Sequence, residues 1–551
     1  MTNTDIFLGS GASLTFVPEI DQCLTLLTSG TTTTLLKLGT SVTNEILLVP
    51  NLYVGCILDL YDADVSNTVP KSTHTITANT ANDISITPAH AISSIANNTD
   101  FVIIRGYGAP CAGPKNSSTA RLNADNWLGL LESAEFPNVE VEVKPMNLSL
   151  GGSRNITYQY KGIETASGGN LNVVANHGAW LYYALGQCTK IKCELSNVTL
   201  GDSFIGNTQG DIYINDGSNS TYDAETGEME SHTNTGPIFY KTSSVTGGSN
   251  NKTLMPFVLQ GVDASGDLEK LVRTTSTATA TDKAITYTFD ETNNSELPSF
   301  TLEQTLSKLP SSNKYVTNHT GSADQLEDLN FIRIARGNRV NTFTMTANEN
   351  EEVKMTMDLS TRTVHKLGQD DNYEARGGQE TNTSLFNFSS TAEAELLEPF
   401  FFSRGSFSIF GQQFLKITNL TLTINNNLQE KRFIGIGNTS IQDAIPSNRM
   451  YELSFTALVT DDLLFQELFN RTENTGDGVV TSGSDVATAG LIDLQFDKEN
   501  GEEINISFQN YFLESANFTI PDDKGPITVE AMVKPRDLKL CTVKTHWVLQ
   551  G

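Results

Sequence analysis

The side chains of this chain that could do chemistry are few and scattered. Seven histidines lie far apart, and none shows the HExxH or HxH spacing that aims two imidazoles at one metal. His177 and His546 each sit beside a small or aromatic residue on a segment that reads as buried, so both are expected to be satisfied structural histidines. The six cysteines are Cys23, Cys56, Cys111, Cys188, Cys193 and Cys541. Only Cys188 and Cys193 are close, as CTKIKC, which is not a CxxC pair and has no histidine cluster nearby. Cysteines this sparse are expected to be reduced thiols rather than a disulfide framework. No GxSxG elbow or GxxxxGK[ST] loop occurs. The pairs Gly9/Gly11, Gly106/Gly108 and Gly435/Gly437 lack the third glycine and the strand-to-helix context of a phosphate cradle. Asp62-Ala63-Asp64-Val65-Ser66-Asn67 is a fragment of a calcium loop without its glycine and its closing glutamate. Asp370-Asp371 and Asp461-Asp462 read as a loop turn and a helix cap, and Glu349, Glu351 and Glu352 crowd one hairpin tip as a solvated turn. No metal, no cofactor and no catalytic activity is expected.

The bulk numbers point the same way. The chain has 551 residues, enough for two or three domains. Apolar residues make up 38%, enough for real cores, while Thr, Ser, Asn and Gly dominate the remainder. That is the composition of a mainly β protein with many turns. Charged residues are only 18%, yet the net charge is −28, which repels DNA, RNA and anionic membranes. Lysines and arginines are dispersed, with no basic patch interleaved by aromatics, which argues against a nucleic-acid reader. The N-terminus lacks the basic and apolar regions of a signal peptide, and no run approaches the roughly 20 apolar residues of a spanning helix. A cytoplasmic product with no membrane anchor is expected.

The elements follow from periodicity. Residues 1–45 read as an N-terminal arm with some strand, and 46–120 as a small β module of four strand-like runs, possible exterior decoration. Asn123–Ala134 reads as a short helix with Trp127, Leu128, Leu130 and Leu131 as its stripe. Val139–Leu150 alternates strictly and pairs with Ile156–Tyr160, which continues the alternation, with Gly151-Gly152 as the turn. A strand over 168–174 leads to a helix over Gly178–Gly186, with Gly186 as its C-cap. Residues 195–250 and 366–385 read as polar surface insertions. Leu297–Leu306 reads as a strand, Ala323–Arg336 as a helix, and Arg339–Leu359 as a strand–turn–strand hairpin. Thr391–Phe401 reads as a short helix. Phe414–Leu428 is an alternating strand closed by Asn425-Asn426-Asn427, and Tyr451–Phe469 is a second strand running into a capped helix. Residues 474–489 read as a linker, followed by five closing strands. One echo stands out: VEVEVKPMNLSL at 139–150 and VEAMVKPRDLKL at 529–540. It fits two strands paired in one sheet or a chance match, and by itself does not establish a duplication.

From about residue 125 onward the ordered set of these stretches resembles the tail tube proteins of tailed bacteriophages. RNITYQYKGIETASGGNLNV is similar to the family's early strand pair with a Gly-marked loop, and HGAWLYYALGQ to its short helix ending in A-L-G. LPSFTLEQ, GNRVNTFTMTANENEEVKMTMDLSTRTV, ITNLTLTINNNLQEKRFIG, YELSFTALVTDDLLFQELFN and VEAMVKPRDL then match in the expected order. The resemblance implies a tail-tube-type β-sandwich or barrel with short flanking helices over 121–551, preceded by the N-terminal β module.

It also implies a role: self-association into rings of six that stack into a hollow tube, in a virion tail assembled in the host cytoplasm. DNA would pass through without specific binding. Tail sheath, tape measure, terminator and baseplate proteins would be its neighbours, and the arm 1–20 and the loop 160–170 would bridge successive rings. A lumen lined with carboxylates would keep the phosphate backbone from sticking, because the field acts over a Debye length of roughly 8 Å. Glu140, Glu142, Glu349, Glu351 and Glu352 are the candidate lumen positions. The competing readings are a capsid decoration protein, a tail fibre, and a glycan-active enzyme. The last would need paired carboxylates in an aromatic cleft, whereas Trp127, Trp180 and Trp547 all fit core roles.

Overall fold

A computed structural model describes residues 12–19, 22–27, 30–38, 53–61, 70–80, 83–90, 100–110, 130–146, 158–193, 285–292, 296–307, 330–367, 398–409, 416–432, 443–460, 488–499, 501–522 and 525–545, with short strand pieces between 210 and 269 and at 412–413 and 549–550. The fold is mainly β and antiparallel throughout.

β1 (Ala12–Glu19) belongs to the body of the molecule, where it pairs with β14 (Ser299–Ser307). The chain then leaves the body to build a closed six-stranded barrel from β2 (Gln22–Leu27), β3 (Leu35–Leu38), β4 (Ile57–Tyr61), β5 (Ser72–Asn79), β6 (Asp83–Thr87) and β7 (Phe101–Ile104). Alternation explains it. Leu26, Leu36, Leu38, Leu58, Leu60, Ile76, Ile84, Ile86, Val102 and Ile104 point inward and are fully buried, and closure removes every strand edge.

The body begins with a long kinked hairpin. Its base is β8 (Leu130–Glu135) against β11 (Asn170–Val174), and its distal arm is β9 (Asn138–Met146) against β10 (Tyr158–Ser167). The kink falls at Pro137 on one side and Gly168-Gly169 on the other, both glycines having positive φ. There a Cβ on Gly169 would also press on Leu359 and Pro137 at 3.1 Å. Helix α1 (Trp180–Leu185) follows, ended by Gly186 at φ 104, whose N–H donates to the Tyr182 carbonyl. Six residues are too few for a helix to persist alone, and this one is held because all six side chains are buried. β12 (Gly186–Cys193) and β13 (Ile285–Glu291) pair with each other. The remaining strands are β15 (Asn330–Asn348), β16 (Lys354–Ser360), β17 (Thr363–Leu367), β18 (Gly405–Ile409), β19 (Ile417–Asn425), β20 (Gln429–Lys431), β21 (Asp443–Ile445), β22 (Met450–Leu458), β23 (Thr488–Asp497), β24 (Glu503–Thr519) and β25 (Thr528–Thr545).

Two layers enclose one core. One layer is an eight-stranded run in the order β8-β11-β16-β15-β19-β22-β25-β24. β15, β24 and β25 are long enough to bend at corners and enter the other layer, where they meet β14, β17, β23 and β13. Between the layers lie α1 and an aromatic cluster of Phe16, Trp180, Tyr183 and Phe300, with ring centroids 5.0–6.3 Å apart.

Several sequence expectations are corrected. Leu130–Ala134 is strand, not helix. A bulge at Glu132 lets Leu131 and Ala134 pair with the core-facing Val173 and Leu171, so a strand mimics the three-residue spacing of a helix. Asn330–Arg336 is likewise strand. From Ile334 to Val340 the strand is buried on both faces and does not alternate. Residues 398–401 are extended, with Phe400 donating to Ala175 and accepting from Val353. The closing strands fuse into the long β24 and β25. The two copies of the 139–150 echo do not pair with each other: β9 lies in the arm and β25 in the body. The turn at Gly151-Gly152, the helix after Asp461 and the partial calcium loop lie outside the described residues.

Candidate functional site

The surface best placed to do something is the outward face of the eight-stranded run, together with its two ends. Period-two alternation sends Phe343, Met345, Ala347, Leu420, Leu422, Ile424, Leu453 and Phe455 inward, all at most 2% exposed. What remains outside is a grid of short hydroxyl and amide side chains. Asn172, Thr356, Thr344 and Thr423 form one row across four strands, and Thr346, Thr421 and Ser454 form the next. Carboxylates punctuate the grid at Glu132, Asp358, Glu452 and Glu530, all exposed. Glu132 accepts from Lys354 Nζ at 2.9 Å and Asn172 Nδ2 at 2.8 Å, and this hydrogen bond raises the Lys354 ammonium above the ordinary lysine pKa. Lys534 is raised in the same way by Glu514 at 2.9 Å.

Both ends of the run are open. Among the described residues β8 pairs only with β11, and Phe512–Thr519 of β24 only with β25. Core-facing side chains that the middle of the sheet would bury stay uncovered there: Leu131, opposite Val173, is 38% exposed, and Phe518, opposite Val529, is 39% exposed.

The five carboxylates expected at the lumen fall into two groups. Glu349, Glu351 and Glu352 sit on the turn between β15 and β16, with Asn350 at φ 65 and Glu351 accepting from Asn348 at 2.9 Å. Glu140 and Glu142 lie on the arm strand β9, where Glu142 accepts from the Ile163 N–H in the bulge opposite it and pairs with Lys144 at 3.3 Å. The arm also exposes Val139, Val141, Val143, Met146, Tyr158, Tyr160 and Ile163, on both faces of a two-stranded ladder. Glu452 and Glu530 escaped the sequence reading. Their signal was parity: each alternates with inward residues, Tyr451 and Leu453 in one case, Val529 and Ala531 in the other.

The barrel is tied to the body by a buried polar network. Glu19, 5% exposed, accepts from Gly108 N, Ser299 Oγ, Thr301 Oγ1 and Gly337 N at 2.6–2.7 Å. Arg362 donates to the Tyr107 and Gly55 carbonyls, and Arg339 lies 4.0 Å over the Tyr107 ring while bonding Asp443. Burial pushes the Tyr107 phenol well above its usual range. Gly108, one of the glycines read as no phosphate cradle, is the contact point: φ is +79 and a Cβ would lie 2.7 Å from Arg362 Nη1. His177 accepts from the Ala179 N–H at 3.2 Å at the start of α1, the structural role expected of it, and Trp180 is in the core. Burial raises the thiol of Cys541. Among the described residues no group of three His, Cys, Asp or Glu could hold a metal, and no helix is long and apolar enough to cross a membrane.

A family model described as phage tail tube protein matches residues 147–530, well over half of the chain. No curated protein matches.

Proposed function

The chain belongs to the phage tail tube proteins and is a structural component of a virion tail, and we propose that its copies join into rings that stack into a hollow tube conducting DNA. The observation that carries this is the eight-stranded run with two uncovered ends. An exposed sheet edge is a template for another strand, and ring closure satisfies it without leaving an open edge anywhere. In this reading the hydroxyl grid is the channel wall. Thr, Ser and Asn side chains offer no cation for phosphate to grip, and Glu452, Glu530 and Asp358, with Glu349, Glu351 and Glu352 at the turn, add repulsion. The arm β9–β10, carrying Glu140, Glu142 and the exposed valines and tyrosines, reaches the next ring and buries its apolar side chains there. Six repeating units around each ring, contacts with sheath, tape measure, terminator and baseplate proteins, and assembly in the host cytoplasm complete the proposal. The barrel β2–β7 is placed on the exterior.

Negative-stain electron microscopy over a concentration series tests it. Hollow rings or tubes of uniform diameter are expected. Monomers at every concentration, or solid rods, overturn it. Reversing the wall charge with Glu452→Lys and Glu530→Lys is expected to slow DNA ejection, and unchanged ejection removes the electrostatic part.

A further inference from the structure

The pairings of the body repeat themselves in chain order. β1 pairs with β14, and β18 with β23. β14 pairs with the first half of β15, and β23 with the first half of β24. β8 pairs with β11 at the base of a hairpin whose distal arm is β9–β10; β19 pairs with β22 at the base of a hairpin whose distal ladder is β20–β21. β11 pairs with β16, and β22 with the first half of β25. β15 pairs with β16 and then β17; β24 pairs with both halves of β25, which is β16 and β17 run together. The eight-stranded run is therefore one four-strand unit used twice. In each unit the strands sit side by side in the same order, first, second, fourth, third: β8-β11-β16-β15, then β19-β22-β25-β24. The barrel and the segment between β12 and β13 are insertions in the first unit.

Within the eight-stranded run the two units are joined by one seam, the second half of β15 against β19, antiparallel from Thr342↔Asn425 to Asn348↔Asn419; in the other layer β13 also pairs with β25. The counterpart of β15 is β24, and its second half is an open edge. The counterpart of β19 is β8, the other open edge. Directions alternate across eight strands, so β24 of one copy meets β8 of the next antiparallel, as β15 meets β19.

We infer that the subunit is an internal duplication whose β15–β19 seam is reproduced between copies as β24 against β8 of the next chain, and that three chains, not six, close the ring. This rests on the tube reading above. With strands about 4.8 Å apart and tilted about 40°, three chains give a 24-stranded wall of roughly 25 Å radius, which leaves one duplex, roughly 20 Å across, a modest clearance after side chains are allowed for. Six chains would double the radius and leave the duplex far from any wall, beyond a Debye length of about 8 Å. The apparent six-fold expectation is met by six units from three chains. Leu131 and Phe518, uncovered in one copy, become seam residues like the buried Leu420 and Ala347.

The test uses assembled full-length protein carrying Ser133→Cys and Ser515→Cys, joined with a short bismaleimide. The two positions stand on the end strands of the eight-stranded run, so they cannot be bridged within one chain. Denaturing electrophoresis is expected to show two-chain and three-chain species and nothing larger, absent from either single variant, and native mass spectrometry of single rings is expected to give three chain masses. A ladder reaching six chains, or rings with no β24–β8 cross-link, overturns the inference and leaves the tube standing. Protein that never forms rings overturns both.

Discussion

Removing the Glu19 carboxylate is expected to release the barrel from the body. Its two oxygens accept four hydrogen bonds from three separate segments: Gly108 after β7, Ser299 and Thr301 on β14, and Gly337 on β15. In Glu19→Ala the two hydroxyls can turn to other acceptors, but the backbone N–H groups of Gly108 and Gly337 cannot. Each buried donor left without an acceptor costs about 1–3 kcal/mol. The charge also matters, because Arg336 and Arg362, each at most 8% exposed, repel each other, and Glu19 is a negative charge acting on Arg336. The loss should total about 4–6 kcal/mol, with Glu19→Gln intermediate because one acceptor oxygen remains. Urea unfolding measures the loss, and limited proteolysis should show new cleavage between barrel and body. A loss below about 1 kcal/mol would refute the claim that this carboxylate joins the two.

Other perturbations probe independent features. Gly337→Ala should cost about 2–4 kcal/mol in thermal or urea unfolding, since φ is +68 and the new Cβ would lie 2.5 Å from that of Arg362. Lys498 and Glu502 form a buried pair at 2.8 Å, and Lys498 also donates to the Asn176 carbonyl. Lys498→Met should cost about 3–5 kcal/mol, and adding Glu502→Leu should recover much of it, so a double variant as unstable as the single contradicts the account. His74 bonds Pro88 O and Ser72 Oγ at 2.7 Å, and burial holds its pKa below 6.5. As pH falls below 6.5 the unfolded chain takes up a proton that the folded barrel refuses, so stability should fall from there towards the folded-state pKa. His74→Gln should flatten that slope in melts between pH 7.5 and pH 5, scan points chosen around roughly the free-histidine pKa.

The sequence by itself determined what alternation and punctuation can encode. The inward residues of β15, β16, β19 and β22, the turn at Asn350, and the αL cap at Gly186 after a short apolar helix were all legible, because each depends on neighbours a few residues away. The ordered motifs also carried the family. Local pattern misread β8, where a bulge turns strand spacing into helix spacing, and β15, where burial on both faces from Ile334 to Val340 erases alternation. Tertiary structure alone decided which strands became neighbours. The twelve-residue echo at 139–150 and 529–540 joined segments that are not equivalent, while the true correspondence of β8 with β19 and β15 with β24 left little trace in residue identity. Strand pairing is made by backbone groups that every residue carries, so a duplicated fold can persist in its ladders long after the side chains that identified it have changed.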